Sequence, residues 1–314
     1  MTSSEEEGFI ASHRFPMFVA RDRACDLDFM RRMFLTKRGK TLLELASPGG
    51  AGRNKTLGQQ EFLKLQPVVP TPEEQRKIAA FLGAVDAKLD ALGREREGLR
   101  RFKAGLMDAL FTRALRFTRA DGSEFPDWEE KRLGDIATFQ KGRGIAKDDV
   151  VAGGATPCVR YGEVYTTYGE RIDEVVSRTN VRRDQLLLSE PGDVIIPASG
   201  ETPEEMARAC CVLRAGVALG GDLNVLRSPV NGEFLAYYLT HARRAEIARA
   251  AQGISVVHLY ASHLKPISVE VPHSDEQARI AAALDAMDRR IDLASREIDL
   301  LGRFKAGLLQ QMFV

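Results

Sequence analysis

The chain has 314 residues, of which 44% are hydrophobic and 28% are charged, and its formal net charge is +1. This length suffices for two domains of ordinary size, and the composition is typical of a soluble globular protein. A nearly neutral chain has no overall basic footprint for nucleic acid, so any such surface must be local.

The cysteines and the N-terminus argue against several other classes of protein. Cys25, Cys158, Cys210 and Cys211 show no C-x-x-C spacing, so we expect neither a disulfide scaffold nor a zinc site, and a reducing cytoplasm fits. The acidic residues 1–7 lack the basic region of a secretory signal, and no apolar run reaches the roughly 18 residues of a membrane span.

Residues 1–66 resemble the end of a domain that occurs complete later in the chain. Residues 28–49 parallel residues 233–253 and predict a helix over 28–45. We therefore interpret residues 1–66 as the C-terminal remnant of a first domain, and the repeat spacing implies that roughly 85 residues at its front are missing.

Residues 67–115 predict a long helix. Apolar side chains recur every three or four residues and include Leu89, Leu92 and Phe102. Proline, threonine and glutamate in residues 70–74 are typical of a capped helix start. At about 1.5 Å per residue, roughly 38 residues form a rod about 55–60 Å long.

Residues 116–271 predict a mixed α/β globular domain. Short β-like runs at residues 157–161, 192–197 and 209–213 are separated by Gly, Pro, Asn and Asp. One helix, from Glu233 to about Ala250, follows them.

Residues 272–314 predict a second long helix that repeats the first. Residues 276–313 align without a gap on residues 74–111, at a constant offset of 202, and about half of the positions are identical. Such an apolar stripe must be covered, and the other copy of the helix is the simplest cover.

The stripe of the second helix includes Ile291, Ile298 and Phe304. The alternative interpretation, two ordinary core helices without a shared seam, stays open, although globular helices are rarely this long.

Several motifs follow one another in a fixed order. Residues 72–79 (PEEQRKIA) recur as residues 275–281 (DEQARIA), and both helices carry Lys-Ala-Gly-Leu near their C-terminal ends. Between them come residues 157–169 (PCVRYGEVYTTYG), 192–201 (GDVIIPASGE) and 220–224 (GGDLN). Over nearly its whole length the chain resembles the specificity subunit of type I restriction–modification enzymes.

The resemblance implies an α+β fold class, in which a mixed α/β target-recognition domain joins two long helices that pair as an antiparallel coiled coil. It implies that each recognition domain reads one half of a split double-stranded DNA target. It also implies that methyltransferase subunits dock on the helices, with the stripe residues named above as candidate contacts, and that the restriction subunit joins through them.

In this family the methyltransferase subunits carry S-adenosylmethionine and the catalytic residues, so we expect no cofactor and no catalysis here. The sequence agrees, because it has no Asn- or Asp-Pro-Pro-aromatic motif and its histidines show no metal-ligand spacing.

One stretch of the domain suits contact with DNA phosphates. Lys141, Arg143 and Lys147 lie in a glycine-rich basic segment, which can approach a phosphate backbone closely. These three residues are candidate DNA contacts.

Two further stretches supply groups that can read base edges. Arg160 is followed by Tyr161 and Tyr165, and a polar segment before the last strand contains Ser255 and His258. The alternative stays open that both tyrosines are core aromatics and that Arg160 pairs with Glu163.

A rival interpretation makes the chain a coiled-coil adaptor whose α/β domain binds a protein. The shortened first domain has three explanations: a rearranged gene, a cloning boundary, or a split subunit whose missing part is another chain.

Overall fold

The computed structural model describes residues 17–20, 25–47, 56–253 and 257–313. The chain divides into two compact units, of which the first comprises residues 1–100 and 290–314 and the second comprises residues 101–289. Both long helices contribute to both units.

The helices are Leu27–Leu35 (α1), Lys37–Leu45 (α2), Gln59–Leu63 (α3), Pro72–Phe111 (α4), Leu133–Ile136 (α5), Tyr161–Thr166 (α6), Pro203–Met206 (α7), Gly232–His241 (α8), Arg244–Ala250 (α9), Ala261–Leu264 (α10) and Ser274–Met312 (α11). The strands are Glu129–Arg132 (β1), Thr138–Lys141 (β2), Thr156–Val159 (β3), Arg171–Ile172 (β4), Ser177–Thr179 (β5), Leu187–Leu188 (β6), Asp193–Pro197 (β7), Ser199–Gly200 (β8), Cys210–Val212 (β9), Ala218–Leu219 (β10), Leu223–Arg227 (β11), Val257–His258 (β12) and Ser268–Val271 (β13). No helix in the described ranges is long and apolar enough to cross a membrane.

The two predicted long helices are confirmed as α4, of 40 residues, and α11, of 39 residues. Each has two acidic residues in its first turn, Glu73 and Glu74 in α4 and Asp275 and Glu276 in α11, where carboxylates favour the positive end of the helix dipole.

In the first unit, the start of α4 packs antiparallel to the end of α11. Asp86 contacts Lys305, whereas Lys88, further along α4, contacts Glu297, which lies earlier in α11. Apolar side chains of both helices are buried in this unit, namely Leu82, Val85, Leu92, Ile291 and Ala294.

In the second unit, the end of α4 packs in the same antiparallel sense on the start of α11. Lys103 Nζ lies 2.7 Å from an oxygen of Asp288, while Leu110 of α4 and Ile280 and Leu284 of α11 are buried in one core. The antiparallel pairing expected from the resemblance is therefore observed in each unit separately.

Two residues assigned to the apolar stripe do not lie in the seam. Phe102 is 61% exposed and its counterpart Phe304 is 52% exposed, while Leu89 and Ile298 are half-buried. Successive helical residues point about 100° apart around the axis. Because the side chain of Lys103 is buried, that of the preceding residue, Phe102, points to solvent. Assigning these phenylalanines to the seam was wrong.

The second unit contains a five-stranded sheet of order β2-β11-β7-β9-β4, which is antiparallel except for the β4–β9 pair. Side chains of its inner strands alternate between two cores: Val194 and Ile196 of β7 enter one, and Ile195 enters the other. Burial on both faces explains why the sequence shows continuous apolar runs here rather than alternation.

A four-stranded sheet of order β5-β3-β10-β6 and the short pairs β1–β13 and β12–β8 complete this unit. The mixed α/β domain predicted for this part of the chain is confirmed.

Both shorter helices of the prediction are broken in two. The helix expected over 28–45 divides at Thr36, whose hydroxyl accepts a hydrogen bond from Gly39 N at 3.1 Å and so caps α2. The helix expected from Glu233 to Ala250 divides between α8 and α9 at residues 242–243.

Candidate nucleic-acid interface

Three backbone segments of the second unit meet at glycines. Gly142 N donates to Leu223 O, Arg143 N to Leu219 O, and Gly220 N to Val159 O, each at 2.9 Å. A Cβ atom on Gly142 would lie 1.8 Å from the carbonyl oxygen of Gly220, so no other residue fits there. We call Gly142, Gly220 and Gly221 the glycine cluster.

The glycine cluster joins the first two candidate stretches. Gly142 and Gly144 flank Arg143, and a Cβ on Gly220 would lie 3.3 Å from the Cα of Arg160. Gly220 therefore lies between the loop that carries Arg143 and Arg160, the N-cap residue of α6.

Lys141, Arg143 and Lys147 are exposed. Within the part of the chain that the structure describes, none of them has a side-chain hydrogen bond or a carboxylate within salt-bridge distance. Lys147 begins a 3₁₀ turn that also contains Asp148 and Asp149. These two carboxylates partly offset the positive charge of Lys147.

Arg160 does not pair with Glu163 through its guanidinium group. Glu163 instead accepts a hydrogen bond from the backbone N–H of Arg160 at 2.7 Å and another from the hydroxyl of Ser177. Since this carboxylate caps α6 by way of the backbone, the half-exposed Arg160 side chain has no protein partner among the described residues.

The two tyrosines of α6 differ in their surroundings. The ring of Tyr161 packs on a buried apolar cluster that includes Val159 and Val164, as expected if this tyrosine is a core aromatic residue. The ring of Tyr165 lies 6.4 Å from that of Tyr161 and outside that cluster. Burial, together with Tyr161 and two glutamates, raises the pKa of Tyr165, whose hydroxyl therefore keeps its proton.

The third candidate stretch lies beside the same site. Ser255 falls outside the described residues, and His258 lies in β12, which pairs with β8. Leu259 N donates to Ala198 O, and Ala198 N donates to the carbonyl of Asp222, the residue after the glycine cluster. Backbone hydrogen bonds thus bring this stretch next to the other two.

Two further residues belong to this surface: Tyr260, which ends the polar candidate segment that contains Ser255 and His258, and Arg208, which the sequence analysis missed. Tyr260 is 54% exposed and stacks on His258 with ring centroids 5.9 Å apart. Arg208 donates to the carbonyl of Tyr165 at 3.4 Å. The signal for Tyr260 was an aromatic residue in a polar segment, whereas nothing in the sequence marks Arg208.

Neither a metal nor a catalytic group stands out in the described ranges. No group of three or more His, Cys, Asp or Glu side chains there is arranged to hold a metal ion. Burial raises the pKa of the Cys158 thiol to about 11, so this thiol is a poor nucleophile. The arrangement suits binding by charge and hydrogen bonds.

Residues 126–303 match the family model described as type I restriction modification DNA specificity domain. The chain is 22% identical over 267 residues to the type I restriction enzyme MjaVIII specificity subunit of Methanocaldococcus jannaschii, covering 79% of this chain and 61% of that protein. It thus spans about three fifths of the length of this curated relative.

Two solved structures share the fold. One, a type I restriction–modification S subunit from M. genitalium, has a TM-score of 0.61 at 17% identity, over 94% of this chain and 74% of that one. The other comes from a study of complex assembly and conformational transition of the type I R-M system, with a TM-score of 0.50 at 19% identity, over 91% of this chain and 68% of that one.

Proposed function

Because the chain belongs to the family of type I restriction modification DNA specificity domains, we propose that its second unit recognises a DNA sequence. The observation that carries this proposal is the meeting, at the glycine cluster, of backbone segments that carry cationic and hydrogen-bonding side chains. Lys141 and Arg143 have no protein partner among the described residues, and Arg160 lies beside them.

The division of labour follows from the chemistry of these groups. Lys141, Arg143 and Lys147 contact phosphates, which attract exposed cations irrespective of sequence. Arg160, whose planar group donates in pairs, reads a base edge, and Tyr165 and His258 add hydrogen-bonding groups beside it. Tyr161 supports the loop from the core side.

We propose four parts for the chain: a remnant of a first recognition domain (1–66), a helix (67–115), a complete recognition domain (116–271) and a second helix (272–314). With one complete domain, the chain reads one half of a bipartite target. Cellular DNA is the ligand, so the proposed site of action is the cytoplasm.

The long helices are the proposed docking site for methyltransferase subunits, which bring the restriction subunit with them. Phe102 in the second unit and Phe304 in the first are large apolar side chains exposed on helices, and they occupy equivalent positions of the repeat. Exposed aromatic side chains are typical anchors of protein interfaces. Leu89, Leu92, Ile291 and Ile298 contribute indirectly, by holding the two helices together. The chain itself catalyses no step.

The test is a fluorescence-anisotropy titration of the full chain with duplex DNA at about 50 mM and about 200 mM salt. Counterion release predicts an affinity that falls steeply with salt. An adaptor that binds only protein would show no such DNA affinity. Methyl transfer from labelled S-adenosylmethionine by the chain alone would contradict the proposed absence of catalysis.

A further inference from the structure

In the second unit, a buried glutamate at the start of α11 is held by the opening segment of the recognition domain. Glu276 is fully buried, and Arg116 donates to its two carboxylate oxygens at 3.1 and 2.9 Å. The indole Nε1 of Trp128 donates to the same carboxylate at 3.2 Å. The ring of Trp128 packs edge-on against Phe234 and is tilted against Tyr238.

The first unit contains counterparts of the residues that surround Trp128 in the second unit. Glu74 corresponds to Glu276 by the offset of 202, and Phe29 and Met33 correspond to Phe234 and Tyr238 by the alignment of residues 28–49 with 233–253.

The carboxylate of Glu74, however, is exposed and has no side-chain partner among the described residues. Together with Phe29, Met33 and Ile78 it lines a groove. The groove is therefore the counterpart of the place that Trp128 fills in the second unit.

A segment beside the groove is the counterpart of strand β13. In the second unit, β13 pairs antiparallel with β1, which directly follows Trp128. By the offset of 202, residues 67–69 correspond to the last three residues of β13, and Pro70 corresponds to Pro272. Residues 67–70 line the groove without pairing to any strand in the described ranges. Val68 is 85% exposed. Val68 and Val69 have backbone N–H and C=O groups that an added strand can pair with, whereas Pro67 and Pro70 have no N–H, so only a short pairing is available.

We propose that this groove binds, in trans, the opening segment of a recognition domain carried by another polypeptide. The occupant has the chemistry of residues 116–135 of this chain: an arginine, then a tryptophan, then a β-strand. The indole packs on Phe29 and Met33 and donates its N–H to Glu74, the arginine pairs with the same carboxylate, and the strand makes a short pairing with Val68 and Val69. This inference concerns the first unit and is independent of DNA recognition by the second.

The probe is a fluorescein-labelled synthetic peptide with the sequence of residues 116–135, titrated with the full chain and followed by anisotropy. We expect saturable binding that weakens about tenfold when the peptide carries Trp128→Ala, because the anchor and one hydrogen bond are lost. Glu74→Gln in the chain should weaken binding of the unmodified peptide to a similar degree.

Glu73→Gln is the matched control, because Glu73 is an exposed neighbour in the same helical turn and its one ion pair among the described residues is with Lys77. No saturable binding up to about 1 mM peptide would overturn the proposal, since a specific site should be occupied at that concentration. Equal binding by the two peptides, or equal effects of Glu74→Gln and Glu73→Gln, would overturn it as well. DNA binding measured on the same preparations stays unchanged in every arm, which separates this test from that of DNA recognition.

Discussion

The carboxylate of Asp86 lies 2.5 Å from the ammonium group of Lys305, so an aspartate of α4 is paired with a lysine of α11. The equivalent residues of the repeat, Asp288 and Lys103, form the same pair with the helices exchanged, at 2.7 Å. Each helix therefore supplies one lysine and one aspartate, and each pair lies in a different unit.

The surroundings of the two aspartates differ, because Lys103 also pairs with Glu170 and because a different side chain donates to each aspartate. Asp86 also accepts a hydrogen bond from the guanidinium of Arg32 at 2.6 Å, whereas Asp288 accepts one from the hydroxyl of Tyr237 at 2.6 Å. Burial would raise the pKa of Asp86, but the bonds from Lys305 and Arg32 outweigh it and lower the pKa. Burial dominates at Asp288 and raises its pKa.

The first prediction is that Asp86→Asn destabilises the protein by about 1–3 kcal/mol, because it leaves Arg32, which is buried, with a single carboxylate. Urea unfolding measures the change. Asp299→Asn, which removes an exposed pair with Arg303 on α11, is the control and should cost no more than about 0.5 kcal/mol.

The pH dependence gives this prediction a second readout. Because the pKa of Asp86 is lower in the folded than in the unfolded protein, its ionised carboxylate stabilises the fold at pH values above the unfolded pKa of 3.8. This stabilisation is lost as the pH falls through the folded pKa. A raised pKa, as at Asp288, contributes stability below 3.8 that is lost as the pH rises. Asp86→Asn and Asp288→Asn should therefore change the slope of stability against pH in opposite directions, and slopes that change alike would contradict the assignment.

The second prediction concerns phosphate contacts. Arg143→Ala should weaken binding to all duplexes alike and reduce the slope of log K against log salt by about 1. Lys147→Ala should do less, because Asp148 and Asp149 follow it. Lys77→Ala, which removes an exposed cation from α4 in the first unit, is the control. An unchanged slope in Arg143→Ala would exclude this loop from the interface.

The third prediction concerns base recognition. Arg160→Ala should reduce the preference at one base pair by about 1–3 kcal/mol while leaving binding to other sites nearly unchanged. The fold should survive, since Glu163 caps α6 through the backbone N–H of residue 160 and not through its side chain. Binding to a library of duplexes measures the preference, and a uniform loss over all sequences would reassign Arg160 to a phosphate.

The fourth prediction concerns the seam in the first unit. Ile291→Asp should destabilise the protein by about 3–5 kcal/mol, because a charge replaces a buried apolar group. Leu89→Asp should cost less, since Leu89 is half-buried. Leu293→Asp, two residues further along α11 and exposed, is the control. Thermal unfolding followed by circular dichroism compares the three, and equal melting temperatures would contradict the packing.

The fifth prediction concerns the methyltransferase. Phe102→Ala and Phe304→Ala should each leave stability within about 0.5 kcal/mol of wild type, because both side chains are exposed. Each should weaken the affinity for a cognate methyltransferase subunit about tenfold, as loss of an aromatic anchor does. Phe81→Ala, an exposed phenylalanine of α4 elsewhere in the repeat, is the control. Pull-down at graded concentrations measures the affinity, and full retention by both variants would move the docking site elsewhere.

The sequence was most informative where one pattern extends over many residues. A repeat of constant offset predicted both long helices, and continuous apolar runs predicted β7 and β9. Sequence-based prediction failed where a single side chain determines the local structure. Thr36 caps α2 and divides the helix predicted over 28–45, and burial of Lys103 leaves Phe102 exposed. Periodicity records which residues are apolar, and not which polar residue finds a buried partner.

The candidate site was predictable in its parts and not in its assembly. Lys141, Arg143 and Arg160 stand out by type, but their proximity depends on Gly142 and Gly220, which are far apart in sequence. Arg208 was missed because its relation to the site arises from its contact with α6, whose tertiary position no local pattern gives.

The glycine cluster also bears on how new DNA specificities arise. Its segments are joined by backbone hydrogen bonds, to which side chains contribute nothing. The residues beside it, among them Arg143 and Arg160, can therefore be exchanged without altering the scaffold that presents them. Under the proposed function, selection for a different target can act on these two side chains one at a time while the glycines stay fixed, so a library randomised at Arg143 and Arg160 should retain a high proportion of folded variants.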